Sequence, residues 1–257
     1  MFKDDYPCFE NGRILKLEML QALRDYPRTI VDVFLQEYSD GIFMGCEIQV
    51  TDDYLIVQPG LISYQKKLYR LDEPLYIDYS ANNILTILKI QFFGEETTGD
   101  FKNLTTKVYC DTEVNLRENE MEIGRFKLRE GSRLRNKPIN FQDLTTEFDL
   151  FNRVHTPYAA KCESTIALEI LELFAQEASS YTLSSPYDIQ FIMMIHNAHL
   201  PIKRKVILHY ISTKLKANDM NASNFEIYKA LERILKELKN NKPEQITKSY
   251  NKRLLVE

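Results

Sequence analysis

Residues 40–79 read DGIFMGCEIQVTDDYLIVQPGLISYQKKLYRLDEPLYIDY, and no helical period runs through them. Their apolar residues come in short runs, broken at Asp52-Asp53, Gln58-Pro59-Gly60, Gln65-Lys66-Lys67 and Asp72-Glu73-Pro74. Short apolar runs separated by turn formers at that spacing are antiparallel strands. Residues 84–93 (ILTILKIQFF) are apolar enough for a central strand, and residues 94–100 read as a polar hairpin tip. Two further strands are expected at 105–114 and 122–128, the first rich in β-branched and aromatic residues. Six to eight short strands with tight turns predict an antiparallel β-sandwich or a partly open barrel.

Glycine divides the chain. All eight glycines lie at or before Gly131, and none follows. Glycine serves turns and bulges and weakens helices, so the second half is expected to be helical. Four helices are predicted there. They cover residues 158–179, residues 187–199 after Ser184-Ser185-Pro186, a third from Pro201 to 216, and a fourth to 240 that opens on the capping box of Ser223 and Glu226. At the front, residues 14–38 carry apolar side chains at three- and four-residue steps, interrupted by Pro27. Proline removes a backbone donor and clashes with the preceding turn, so two short helices meeting near Tyr26 are expected.

The expected fold class is therefore α+β: N-terminal helices, an antiparallel β-sandwich or partly open barrel, then an all-helical C-terminal bundle. The expected divisions are a helical lead-in at 1–39, a β-domain at 40–135, a joint at 136–157, a helical bundle at 158–240 and a tail at 241–257. The joint has too many apolar residues for a free linker. The tail is polar until Leu254-Leu255-Val256 and reads as either a frayed end or a docking peptide.

A net charge of −4 argues against general nucleic-acid affinity. The longest apolar run, Phe191 to Ile195, is far short of the roughly 20 residues a membrane span needs. The first ten residues include acidic side chains and no apolar h-region, so no signal peptide is read. The four cysteines form no CxxC pair, which favours reduced thiols and a cytoplasmic location.

Candidate chemistry is sparse. His196, His199 and His209 form the best metal candidate, HxxH…H, but His196 continues the apolar stripe of Ile189, Ile192 and Met193 and reads better as a structural histidine. The paired carboxylates Asp52-Asp53 and Glu95-Glu96 fall where turn tips are expected. The basic run Lys203-Arg204-Lys205, with Lys214 and Lys216, reads as a solvated face. There is no P-loop, GxGxxG, GxSxG or HExxH pattern. No catalytic residue, cofactor or metal is assigned.

One resemblance bears on function. Asp40-Gly41, Gly45, Val57-Gln58-Pro59-Gly60 and Leu68-Tyr69, with the later Glu122-Ile123-Gly124-Arg125-Phe126, resemble a module of tail and baseplate proteins of phages and related contractile injection particles. The resemblance spans about residues 10–130. It departs at the Gln65-Lys66-Lys67 turn, where the module has a glycine. It implies a non-enzymatic structural or adaptor subunit, partnered by other particle subunits, oligomeric or built into an assembly, and located in the cytoplasm or in a phage-like particle. The alternatives are a carbohydrate- or surface-binding module using some of the fifteen tyrosines, a metal-dependent enzyme using the three histidines, and, least favoured, a nucleic-acid-associated role at Lys203 to Lys205.

Overall fold

The computed structural model describes residues 5–216 and 221–240, so expectations for the 241–257 tail fall outside the described residues. The chain is a mixed α+β structure in which one N-terminal helix is followed by antiparallel strands and then by helices. Helix α1 (Leu17–Leu35) leads into nine strands: β1 (Gly41–Gly45), β2 (Ile48–Val50), β3 (Tyr54–Val57), β4 (Gly60–Tyr64), β5 (Lys67–Leu71), β6 (Leu75–Asp78), β7 (Leu85–Thr98), β8 (Phe101–Asp111) and β9 (Glu120–Lys127). Four helices follow among the described residues: α2 (Leu168–Ala178), α3 (Pro186–His196), α4 (Arg204–Leu215) and α5 (Asn224–Asn240).

The strands form three three-stranded antiparallel sheets, ordered β1-β4-β5, β2-β3-β6 and β8-β7-β9. The turns expected between residues 40 and 79 all end strands, but consecutive strands do not always pair. The chain leaves the first sheet for the second at Gly45-Cys46 and returns at Pro59-Gly60. These two connections lie back to back. Gly45 stands opposite Gly60 in the β1–β4 register, and the Cys46 amide donates to the Pro59 carbonyl at 3.2 Å. A Cβ on Gly60 would sit 2.7 Å from the Met44 carbonyl oxygen and closer still to the Cys46 amide nitrogen. Gly45 and Gly60 are thus demanded by close backbone approach.

The β4–β5 turn is tighter than its residues favour. Gln65 and Lys66 both adopt positive φ, 48° and 60°, the left-handed pair of a two-residue hairpin normally filled by Asn-Gly. Asp40 accepts the Gln65 amide at 2.7 Å and helps to hold the turn. Lys66→Gly should raise the urea midpoint by the equivalent of about 0.5–1 kcal/mol, because the left-handed conformation costs a side-chain-bearing residue at least that much. A lowered midpoint would contradict this reading of the turn.

Strand β7 is the long central strand, and it extends past the expected tip at Gly94: Glu95 pairs with Leu104 and Thr98 with Phe101. Glu95 and Glu96 are therefore strand residues and not turn residues. Lys89 in β7 is almost fully buried, an ion the sequence pattern does not reveal. Its ammonium donates to Asp111 at 3.1 Å and to the Asn115 carbonyl at 3.0 Å, and lies 3.4 Å from buried Glu120. Removing one partner would leave an uncompensated buried charge.

Residues 136–157 bury part of their apolar content, although Ile139 is exposed. Phe141, Leu144, Leu150, Phe151 and Val154 are buried, and Leu144 lies in a 3₁₀ turn (Gln142–Thr145). Residues 158–167 are not helical, contrary to expectation. Tyr158 bridges Ile42 of β1 and Thr165, and the Ala159 amide donates to the Ile42 carbonyl at 2.8 Å, so the β-sheet claims this backbone before α2 can start. The Ser223–Glu226 capping box forms in both directions, at 3.3 and 2.6 Å. Pro186 opens α3 as expected, although Ser185 makes no side-chain cap.

The core is continuous from strands to helices. Phe141 meets Phe174 of α2 and Tyr228 of α5, and Phe174 meets Phe191 of α3 and Tyr210 of α4. His155 sits at this junction, stacked on Phe225 with ring centroids 5.2 Å apart. Burial, and then the Arg125 charge, hold its imidazole below the ordinary value of 6.5, with Glu122 opposing. Lys229 lies 5.6 Å from the same Phe225 ring. The unfolded chain therefore binds this proton more readily than the folded one. The stability linked to His155 should be complete above about pH 6.5 and fall as the pH drops below it. An NMR titration placing His155 at or above 6.5 would refute this.

Candidate interaction surfaces

Helix α1 is the most exposed regular element. Its apolar side chains fall on one side: Leu20, Leu23, Tyr26, Ile30, Val33 and Phe34 recur at three- and four-residue steps. The opposite side carries Glu18, Arg24, Asp25, Arg28 and Asp32. In a globular protein such a stripe faces the core. Here it does not: Leu23 is 49% exposed, Ile30 53% and Val33 58%, and Leu35 is the one buried residue of the helix.

The helix is also continuous, where two short helices were expected. Pro27 stands inside it. On an exposed helix the carbonyl freed by proline can be satisfied by solvent, which reduces the cost of leaving the helix unbroken. Thr29 also donates its hydroxyl to the Asp25 carbonyl at 2.9 Å.

The C-terminal end of α1 is tied to the body by ring contacts. Phe34 stacks on Tyr38 with centroids 5.0 Å apart, and Phe43 of β1 meets both rings edge-on. Beyond the helix, the Ser39 amide donates to the Ala160 carbonyl at 3.0 Å, and Lys161 pairs with Glu37 at 2.7 Å. These contacts present the stripe on a fixed support.

A second projecting feature lies nearby. Strand β9 pairs with β7 only from Leu85 to Gln91, so the remainder of the β7–β8 hairpin extends beyond the third strand. Its exposed aromatics are Phe93 and Phe101. Lys102 hydrogen-bonds Glu95 and holds that carboxylate below its usual range, with Lys67 and Arg28 of α1 adding to the effect.

The sequence-predicted candidates are dispersed. His196, His199 and His209 are all exposed, and no group of three His, Cys, Asp or Glu among the described residues could hold a metal ion. His196 is not a satisfied core histidine either. Ile189 and Met193 are exposed with it, while α3 buries Asp188, Phe191, Ile192 and Ile195 instead. The basic run is broken by structure. Arg204 donates to the Ser164 and Ala222 carbonyls and to Asn224, and Lys214 pairs at 2.8 Å with buried Asp188, which also accepts from Tyr210. Asp52 lies 3.5 Å from Arg133 on the surface. Of the tyrosines, Tyr54 and Tyr76 form an exposed pair, but their rings meet at 88° and do not make a flat platform for a sugar face.

No protein-family model and no curated protein matches the chain. Among solved structures it is similar to TssK in a crystal structure, with a TM-score of 0.45 and 8% identity over 92% of this chain and 72% of that one. It is also similar to a chain of the type VI secretion system TssK-TssF-TssG baseplate subcomplex determined by cryo-electron microscopy, with a TM-score of 0.42 and 9% identity over 92% of this chain and 100% of that one. A chain of the baseplate complex from the type VI secretion system gives a TM-score of 0.34 and 9% identity over 91% and 100%. At these identities the likeness does not extend to activity or partners. Among the described residues, no helix is long and apolar enough to cross a membrane.

Proposed function

We propose that the protein is a non-enzymatic structural or adaptor subunit of a phage-tail-like contractile particle, at the baseplate or where fibres attach. The observation that carries this reading is the exposed apolar stripe of α1, held at one end on a rigid β support. The resemblance of residues 10–130 to phage tail and baseplate proteins supports this class of assembly.

Magnitudes favour an assembly over a lone pair of proteins. Covering the exposed half of each of the six stripe residues is worth about 1 kcal/mol apiece, or about 6 kcal/mol together. Association costs about 4–15 kcal/mol in lost freedom. The stripe alone therefore makes a weak contact, and it becomes stable when the subunit is gripped at several places at once.

The test is quantitative mass spectrometry of particles purified from the producing cells. The protein should be present in fixed proportion to tube and sheath subunits, and its deletion should stop assembly. Complete particles that lack it, assembled normally in the deletion strain, would end the proposal.

A further inference from the structure

A groove of about 630 Å³ lies between the edge strand β2 and helix α2, in a different sheet from the one that α1 approaches. Its floor is apolar and includes Ile48, Phe151 and half-buried Leu173. Three exposed carboxylates stand around it: Glu47 beside β2, and Glu169 and Glu172 on α2. Glu47 and Glu172 form no ion pair among the described residues. Arg153, on the inner wall, is already engaged. It donates to the Cys46 carbonyl at 3.2 Å, lies over the Tyr158 ring and reaches Glu169 at 3.7 Å. Among the described residues, the one other cation at the groove is Lys137, in its wall beside Asn136 and Pro138. The open rim is therefore net acidic over an apolar floor.

We propose that this groove takes an extended segment of a partner protein in which lysine or arginine alternates with aliphatic residues. Alternate side chains of an extended chain point to opposite sides and recur about every 6.6–6.8 Å. Aliphatic side chains on one side reach the floor while the cations of the other reach the rim. The two carboxylates outside ion pairs, Glu47 beside β2 and Glu172 on α2, stand on the two walls of the groove, so a cation on either side finds a partner. The segment is held by its side chains and does not add a strand to the sheet, because Asn136 already occupies the Ile48 carbonyl on the β2 edge at 3.1 Å. This site is independent of what covers α1.

The test uses the full chain and a short fluorescein-labelled peptide alternating lysine with valine, followed by anisotropy. Saturable binding is expected, about tenfold tighter than that of a glutamate–valine peptide and of a lysine–glycine peptide. The variant Glu47→Lys/Glu172→Lys changes only exposed side chains outside ion pairs and should reverse the preference toward the glutamate–valine peptide, while Glu172→Gln alone should weaken lysine–valine binding several-fold. Absence of saturable binding, equal affinity for the lysine–glycine peptide, or an unchanged preference in the charge-reversed variant would overturn the proposal.

Discussion

Replacing Leu23 and Ile30 by arginine should leave the protein folded and remove it from its assembly. Both side chains are about half exposed and neither contributes to the buried core, so their loss changes folding stability by no more than about 0.5 kcal/mol each. In an interface the same change is severe. It removes two central apolar contacts and buries two guanidinium groups without partners, costing several kcal/mol. The expected result is an unchanged thermal midpoint and a reduction in particle incorporation of about a hundredfold or more. Arginine at Glu18 or Asp32, on the polar side of the same helix, should do little. If all four positions behave alike, the stripe is not the contact surface.

Gly60→Ala should produce a large loss of stability for a single methyl addition. The added carbon meets backbone on two sides, at Cys46 and Met44, and backbone cannot rotate aside as a side chain can. Because Gly60 also pairs with Gly45 where the chain changes sheets, relief requires both crossovers to separate. The expected cost is about 3–5 kcal/mol, a large fraction of the 5–15 kcal/mol that holds a typical domain together. Gly94→Ala provides the contrast, since nothing lies within 4 Å of the added carbon, and it should change stability by about 0.5 kcal/mol or less. Urea denaturation of the two variants checks both values. A tolerated Gly60→Ala would mean that the crossover is looser than its geometry implies.

These two positions also show what a linear reading captures. Turn residues act locally, so the ends of the strands between residues 40 and 79 are legible from Asp52-Asp53, Pro59-Gly60 and Asp72-Glu73-Pro74. Which strands pair is not local. Pro59-Gly60 reads as a simple turn, yet β3 and β4 belong to different sheets. Residues 158–167 carry a helical pattern that loses to hydrogen bonds with Ile42, more than a hundred residues earlier. Pro27 reads as a break because proline usually is one, but exposure lets the helix continue through it.

Surface function was less legible than fold. The stripe of α1 is plain in the sequence, but amphipathic helices usually bury such a stripe, and its exposure emerges only from the fold. The histidines and the basic run stood out by residue type, and the structure disperses the first and consumes part of the second in ion pairs and caps. The buried Lys89 cluster gave no signal, because its partners Asp111 and Glu120 become neighbours only through strand pairing.

The central claim, that α1 is covered by another particle subunit, is tested most directly by photocrosslinking. A benzophenone amino acid placed at Leu23 and activated in the producing cells should give one dominant adduct with a subunit of the particle, while the same group at Glu18 should give little. No adduct from Leu23 in cells that contain assembled particles would contradict the claim.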